Sequence, residues 1–295
     1  MTAASVATII DAIAEAGEAV PSGSLTPVGG GCINEGAIVG EGARRYFVKL
    51  NGTGQRAMFE AEADGLKRLA AADAVRVPRP IAVGEGNGRA FLVLEFIEFG
   101  AASPAGFRRL GEALAQLHAS HGERYGLPYD NTIGTTLQPN AEDTDWCRFF
   151  SRQRLAFQLR LAADNGIGKR VGETGERLLA ALRERWAAYR PAPSLVHGDL
   201  WSGNVAFDRQ GMPVLFDPAC YYGDRETDLA MTELFGGFPR AFYDAYNAVA
   251  PVSADYPMHR DLYQLYHVLN HFNLFGGGYA GQVRRLLDRL LAELG

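Results

Sequence analysis

Apolar and polar positions along the chain change period several times, and each change marks an element. From about Val6 to Glu18 apolar residues recur at helical spacing with acids between them, which predicts an amphipathic helix ended by Pro21 to Gly23. Three strand-like segments follow, Leu25–Val28, Glu35–Val39 and Arg45–Leu50, separated by Gly29-Gly30-Gly31 and Gly40-Glu41-Gly42. Between Ala57 and Ala71 the period returns to helical, with Phe59, Leu66 and Leu69 on one stripe. Val77-Pro78-Arg79-Pro80 reads as extended, because proline disfavours helix in the residue before it. Ile81–Val83 and Ala90–Phe96 then predict two more strands around a Gly84–Gly88 turn. From Pro104 onward the pattern is mainly helical, with a loop-like stretch at Pro128–Asn140 and a β-rich interval at Ser194–Phe216. No internal repeat or low-complexity segment interrupts it. The expected organisation is a small β-rich lobe over residues 1–98 and a larger, mainly helical lobe over residues 99–295, an α+β architecture.

Composition narrows the function classes. At 295 residues, 47% apolar and 21% charged, the chain can bury a substantial core. A formal charge of −5 argues against a general nucleic-acid binder, which needs a basic surface to displace phosphate counterions. No lysine or arginine precedes Arg44, so the start lacks the charged region of a secretory signal, and no apolar run approaches the ~20 residues of a membrane helix. The expectation is a cytoplasmic protein without a membrane partner. Cys32, Cys147 and Cys220 are odd in number and widely spaced, which suits reduced thiols better than disulfides or a zinc site. The 29 basic residues include only three lysines, Lys49, Lys67 and Lys169. In so arginine-rich a chain, a lysine inside the strand pattern Tyr-Phe-Val-Lys-Leu marks a place for a compact ammonium rather than a guanidinium fork.

The densest chemistry lies in Val196-His197-Gly198-Asp199-Leu200-Trp201-Ser202-Gly203-Asn204-Val205, followed by Val214-Leu215-Phe216-Asp217. Phosphoryl transfer needs a carboxylate to orient and deprotonate the acceptor and oxygen ligands for Mg²⁺. Asp199 suits the first role; Asn204, five residues on, and Asp217, after the next strand, suit the second. This segment resembles the catalytic and metal segments of the aminoglycoside phosphotransferase-like kinases, and most closely the fructosamine kinase (ketosamine-3-kinase) family. Gly29-Gly30-Gly31-Cys32-Ile33-Asn34, Phe59-Glu60-Ala61-Glu62-Ala63, Gly223-Asp224-Arg225-Glu226-Thr227-Asp228-Leu229 and Leu269-Asn270-His271-Phe272-Asn273-Leu274-Phe275-Gly276 resemble that family too. Relative to a protein kinase, His197-Gly198 stands in the catalytic loop and Asp217-Pro218-Ala219 replaces Asp-Phe-Gly, both pointing to the small-molecule branch of the fold.

The resemblance implies a protein-kinase-like two-lobed fold and an ATP- and Mg²⁺-dependent transfer to the 3-hydroxyl of a ketoamine, free or protein-bound. In that frame the glycines 29 to 31 let backbone N–H groups approach phosphates, with Asn34 capping the hairpin tip. Lys49 bridges the α- and β-phosphates, held by a helical carboxylate. Glu60 and Glu62 compete for this, and Glu62 is favoured because it shares the face of Leu66 and Leu69. Ala90–Phe96 running into Ile97-Glu98 resembles the hinge, where backbone groups of Glu95 and Ile97 meet the adenine edge. Asp224, Arg225, Glu226 and Asp228 are expected to form an ion network under the catalytic loop, and the resemblance implies a chiefly structural Asp228. On the acceptor side Trp201 either stacks on a sugar or anchors the core, and His267, Asn270 and His271, at helical spacing, are candidates to line the pocket. A zinc reading of His267 and His271 fails because Val268 stands where the metalloprotease pattern has glutamate. Cys32 is a candidate redox-sensitive thiol or a loop-packing one. Two other readings stay open: an aminoglycoside, choline or related hydroxyl acceptor, and a non-catalytic pseudokinase. The second predicts loss of Lys49, Asp199, Asn204 or Asp217, and all four are present.

Overall fold

The computed structural model describes residues 3–29, 33–42 and 44–294. Gly30, Gly31 and Cys32, expected in a phosphate loop, lie outside the described residues. In chain order the elements begin α1 (Ala3–Glu15), β1 (Thr26–Val28), β2 (Glu35–Val39), β3 (Tyr46–Gly52), α2 (Arg56–Ala71), β4 (Pro80–Gly86) and β5 (Arg89–Glu95). There follow α3 (Pro104–Leu117), β6 (Asn131–Ile133), β7 (Thr136–Gln138), α4 (Trp146–Phe149), a π-helix over Phe150–Ala156, α5 (Phe157–Asp164) and α6 (Lys169–Arg185). The rest comprises β8 (Ser194–Val196), β9 (Val205–Phe207), β10 (Pro213–Leu215), β11 (Tyr221–Gly223), α7 (Glu226–Leu234), α8 (Arg240–Val249), α9 (Tyr256–Phe275) and α10 (Ala280–Leu294). No helix among the described residues is long and apolar enough to cross a membrane.

The chain forms two compact units. The first is Met1–Ser103 together with Ala206–Asp217; the second is Pro104–Val205 together with Pro218–Gly295. The boundary is thus later than the expected 98/99, and a segment from the second half of the sequence returns to the first unit. Long-range contacts explain the return. Arg76 bridges Val214, Gly100 donates to the Phe207 carbonyl, Phe99 stacks on Phe216, and Arg76 Nη1 lies 2.8 Å from Asp208 Oδ2. None of these has a local sequence signature.

In the first unit five antiparallel strands lie in the order β1-β2-β3-β5-β4. Alternation along β3 sends Val48 and Leu50 into an apolar cluster with Ile9 and Ile13 of α1. Lys49, between them, points to the opposite face. In α2 the buried Phe59, Glu62, Leu66 and Leu69 share one stripe, whereas Glu60 is exposed and pairs with Arg56 one turn before it.

The second unit is built on helices packed around Trp146, Phe149, Phe150, Trp186, Tyr263 and Tyr266. Helices α3 and α8 approach so closely that a Cβ on Gly111 would lie 2.3 Å from the Phe242 carbonyl oxygen, which requires glycine there. Within the expected loop at 128–140 the chain forms the hairpin β6–β7, with Asn131 opposite Gln138 and Ile133 opposite Thr136. Strand β11 pairs with β8, also beyond the sequence expectation.

Candidate active site

Within the first unit a buried lysine meets two carboxylates from distant positions. Lys49 Nζ lies 2.6 Å from Glu62 Oε1 and 2.5 Å from Asp217 Oδ1. Glu62 is as buried as the lysine, whereas the Asp217 side chain is 43% exposed, so one partner is enclosed and the other is reachable by ligand. Burial alone would push the Lys49 pKa down; the charges of Glu62 and Asp217 outweigh it and hold the ammonium. Burial raises Glu62 above the ordinary carboxylate range, with Lys49 opposing and Asp217 reinforcing the shift. Asp217 itself has φ +58°, a left-handed conformation uncommon for a residue with a side chain and characteristic of constrained sites.

The expected hinge groups lie at the end of β5. The Glu95 N–H is donated to the Arg79 carbonyl at 2.9 Å, so a nucleotide contact at Glu95 falls to its carbonyl. Its carboxylate pairs with Arg76 and accepts from the Arg79 amide. Ile97 is buried. Asn34 accepts from Asn51 Nδ2 at 2.7 Å, which ties the start of β2 to the end of β3 and makes its side chain a hairpin brace. Gly29 is the described member of its triplet, with open space where a Cβ would project.

In the second unit the loop after β8 is held through its backbone. His197 N and Gly198 N donate to the two oxygens of buried Asp228 at 2.7 and 2.9 Å, and His118 Nε2 lies 3.2 Å from the same carboxylate. Burial would raise the Asp228 pKa; His118 and these hydrogen bonds overcome it and hold the group below its ordinary value. Gly198 has φ +84°, and a Cβ there would sit 2.1 Å from the Ala219 carbonyl oxygen, so only glycine fits. Beyond this clamp Asp199 is partly exposed, and Asn204 Nδ2 donates to its carbonyl at 2.8 Å and to its Oδ2 at 3.2 Å. With Nδ2 so committed, Asn204 Oδ1 is the oxygen left to face a cation.

Of the expected ion network, Asp228 clamps the catalytic loop. Asp224 instead accepts from Tyr189, Tyr263 and the Glu226 amide, while Glu226 bonds Ser253 and His259. Arg225 reaches Tyr246 and the Ala250 and Pro251 carbonyls. Asp224, Glu226 and His259 bring three potential metal-ligand atoms within 4.8 Å of one another, but the hydrogen bonds just named occupy these groups.

Trp201 is half-buried, its indole lying over Gly203, where a Cβ would be 2.3 Å from the ring. It meets Phe235 edge-on at 5.9 Å, and Phe235 meets His271 at 5.0 Å. His271 is therefore at a partly open aromatic surface. Asn270 and His267 are buried: Asn270 accepts from Gln158 and donates to the Ile133 carbonyl, so it braces the β6–β7 hairpin. Burial drives the His267 pKa down to about 3, and its Nδ1 has no hydrogen-bond partner among the described residues.

The residues that sequence reasoning missed lie behind the catalytic loop. Arg154, in the π-helix, is fully buried and forms no ion pair among the described residues. It donates to the Pro139 carbonyl at 2.5 Å and Asn140 Oδ1 at 2.7 Å, and its guanidinium lies 4.0 Å from the Tyr221 ring centroid. Asn140 donates to Asn131 Oδ1; Asn131 donates to the Cys220 carbonyl; Gln138 donates to the Ala219 carbonyl and accepts from Tyr266. Ala219 N in turn donates to the His197 carbonyl at 2.9 Å. This connected chain of amides supports the loop from beneath. The unusual π-helix was its only local mark, and no simple periodicity announces one.

The sequence model of the fructosamine kinase family matches residues 5–293. A protein of Synechocystis sp. named probable ketoamine kinase is 48% identical over 267 residues, covering 90% of this chain and 89% of its own. The chloroplastic protein-ribulosamine 3-kinase of Arabidopsis thaliana is 41% identical over 281 residues, covering 94% and 86%. In three dimensions the chain superposes on the choline kinase of Streptococcus pneumoniae with a TM-score of 0.62 at 17% identity, over 97% of this chain and 98% of that one. The fold is protein-kinase-like, and the chain belongs to the fructosamine kinase family.

Proposed function

We propose that the chain transfers the γ-phosphoryl group of ATP to the 3-hydroxyl of a ketosamine, a sugar condensed with an amine, with Asp199 as the base. The carrying observation is the Asp199 carboxylate presented beside Asn204 on a loop whose backbone is clamped by Asp228. Such a base needs orientation more than strength, because the loose phosphoryl transition state asks for little proton removal early. Asn204 restrains the carboxylate, and Asp199 aligns the sugar hydroxyl and takes its proton.

On the nucleotide side Lys49, kept charged and positioned by Glu62, contacts the α- and β-phosphates. Asn204 and Asp217 are the ligands proposed for Mg²⁺; both supply hard oxygens, Asn204 Oδ1 being uncommitted and Asp217 partly exposed. A Mg²⁺ ion held by these oxygens would neutralise triphosphate charge. Trp201 offers an indole face to the sugar. Phosphate at the 3-position makes the adduct labile, so the role that follows is removal of glycation from free or protein-bound amines.

The test is ATP consumption by purified protein with Mg²⁺ against fructose, ribulose and erythrulose adducts of lysine, with kanamycin and choline alongside, and NMR location of any new phosphate. The expected product is a ketosamine 3-phosphate. Turnover confined to kanamycin or choline would overturn the acceptor assignment, and no turnover with any of them the enzymatic one.

A further inference from the structure

The rings that begin at Trp201 do not stop at Phe235. His271, at the C-terminal end of α9, packs against Phe275 at 5.7 Å and Tyr279 at 5.2 Å between centroids. Phe235 is 37% and Phe275 53% exposed, so the aromatic surface that begins at Trp201, two residues beyond the proposed base, is open to solvent. Elsewhere in the protein, exposed or buried ring faces receive an arginine: Arg45 over Phe96, Arg154 over Tyr221 and Phe149, Arg225 over Tyr246. Among the described residues no protein cation lies over Trp201, Phe235 or Phe275.

His271 adds a polar atom of defined sense. Its Nδ1 lies 2.7 Å from the His267 carbonyl oxygen, which can only accept, so Nδ1 carries the hydrogen. Burial holds the ring below its ordinary pKa, so it is neutral at pH 7 and Nε2 keeps its lone pair. Nε2 makes no hydrogen bond among the described residues and is not sealed from solvent. One hydrogen-bond acceptor among aromatic faces free of any protein cation is chemistry suited to an ammonium with an N–H to donate, as in recognition of amines by aromatic cages.

We infer that Trp201, Phe235 and His271 form the subsite for the substrate's secondary ammonium, with Phe275 and Tyr279 continuing along the carbon chain of the amine. The inference rests on the ketosamine reading and sharpens it: the enzyme selects its substrate by the charged nitrogen as well as by the sugar. A neutral analogue of equal shape lacks both the cation–π attraction and the N–H donor, and an attraction of 1–2 kcal/mol corresponds to about tenfold in specificity.

The experiment compares kcat/KM for Nε-fructosyl-lysine and for the ether in which oxygen replaces the linking nitrogen, in wild type, Phe235→Leu and His271→Asn. Asparagine keeps a donor near the His267 carbonyl and removes the Nε2 acceptor; thermal melts establish that each variant is folded. Wild type is expected to prefer the amine by about tenfold or more, and each variant to lose more kcat/KM on the amine than on the ether, so that the preference shrinks. Equal use of the two compounds by wild type, or parallel losses on both in the variants, overturns the ammonium subsite and leaves the 3-hydroxyl chemistry standing. Phosphorylation of neither by wild type overturns the proposed function, and the subsite with it.

Discussion

The two units each bury a cation, and they do so by opposite means. Lys49 in the first is paired with two carboxylates, one enclosed and one half-open to solvent. Among the described residues Arg154 in the second has no carboxylate partner; carbonyls, an amide and ring faces surround it. A charge whose partner must exchange for substrate phosphates is well served by a reachable carboxylate. A charge that only holds neighbours in place is better served by fixed dipoles, which do not titrate. The difference follows the chemistry of the side chains, since a compact ammonium can change partners and a planar fork can hold several at once. The same contrast separates the proposed nucleotide-handling region from a loop-positioning one.

The largest effect expected from breaking this division is at the base. Asp199→Asn should lower kcat by about 10³-fold, within the range for a positioned general base, while calorimetric ATP affinity stays near wild type. Near-normal turnover would remove Asp199 from its role. Next comes Lys49→Arg, which keeps charge but not geometry and should cost roughly 10²-fold in kcat/KM for ATP. Full activity in that variant would mean that charge alone suffices there.

Arg154→Lys tests the other half of the contrast. It keeps the charge but loses the fork that reaches Pro139 and Asn140, so stability should fall by about 2 kcal/mol. Turnover per nucleotide-binding site should fall by about tenfold without a change in ATP affinity, because the amide chain beneath the loop loosens. Turnover per site at the wild-type level would reduce Arg154 to a stability element.

The smallest effect concerns His267, a buried group with no counter-charge of its own. In the unfolded chain it takes a proton near pH 6.5, in the folded protein only near pH 3, so between these values the unfolded state binds more protons. Its contribution to stability is therefore complete above pH 6.5 and is lost as pH falls toward 3. His267→Gln should flatten the stability profile between pH 4 and 6.5 in urea titrations; an unchanged slope would show that the imidazole does not titrate as described.

Much of the site was legible because its groups recur at spacings with few other uses. Lys49 stood out as a lone lysine in an apolar strand, and the face shared with Leu66 separated Glu62 from Glu60: Glu62 lies 2.6 Å from Lys49, whereas Glu60 forms an exposed pair with Arg56. The hairpin at 131–138 was illegible because its strands are three residues long and carry Asn, Thr and Gln where apolar alternation would signal a strand. Asn34, expected to cap the hairpin tip, accepts from Asn51, whereas Asn270, a candidate for the acceptor pocket, braces the β6–β7 hairpin, since an asparagine's partners are not encoded in its neighbours. Arg154 looked like any other arginine in a chain that has few lysines.

By itself the sequence determined the family and most of the longer strands and helices, and it singled out Lys49, Asp199, Asn204 and Asp217 as candidates, because period and spacing are local and survive reading in one dimension. Only the tertiary structure decided that residues 206–217 return to the first unit, that Asp228 clamps the catalytic loop, and that Arg154 supports that loop through neutral amides. These depend on which buried polar group finds which partner. That choice is made by the cost of leaving any of them unpaired in the interior, summed over contacts between residues far apart in the chain.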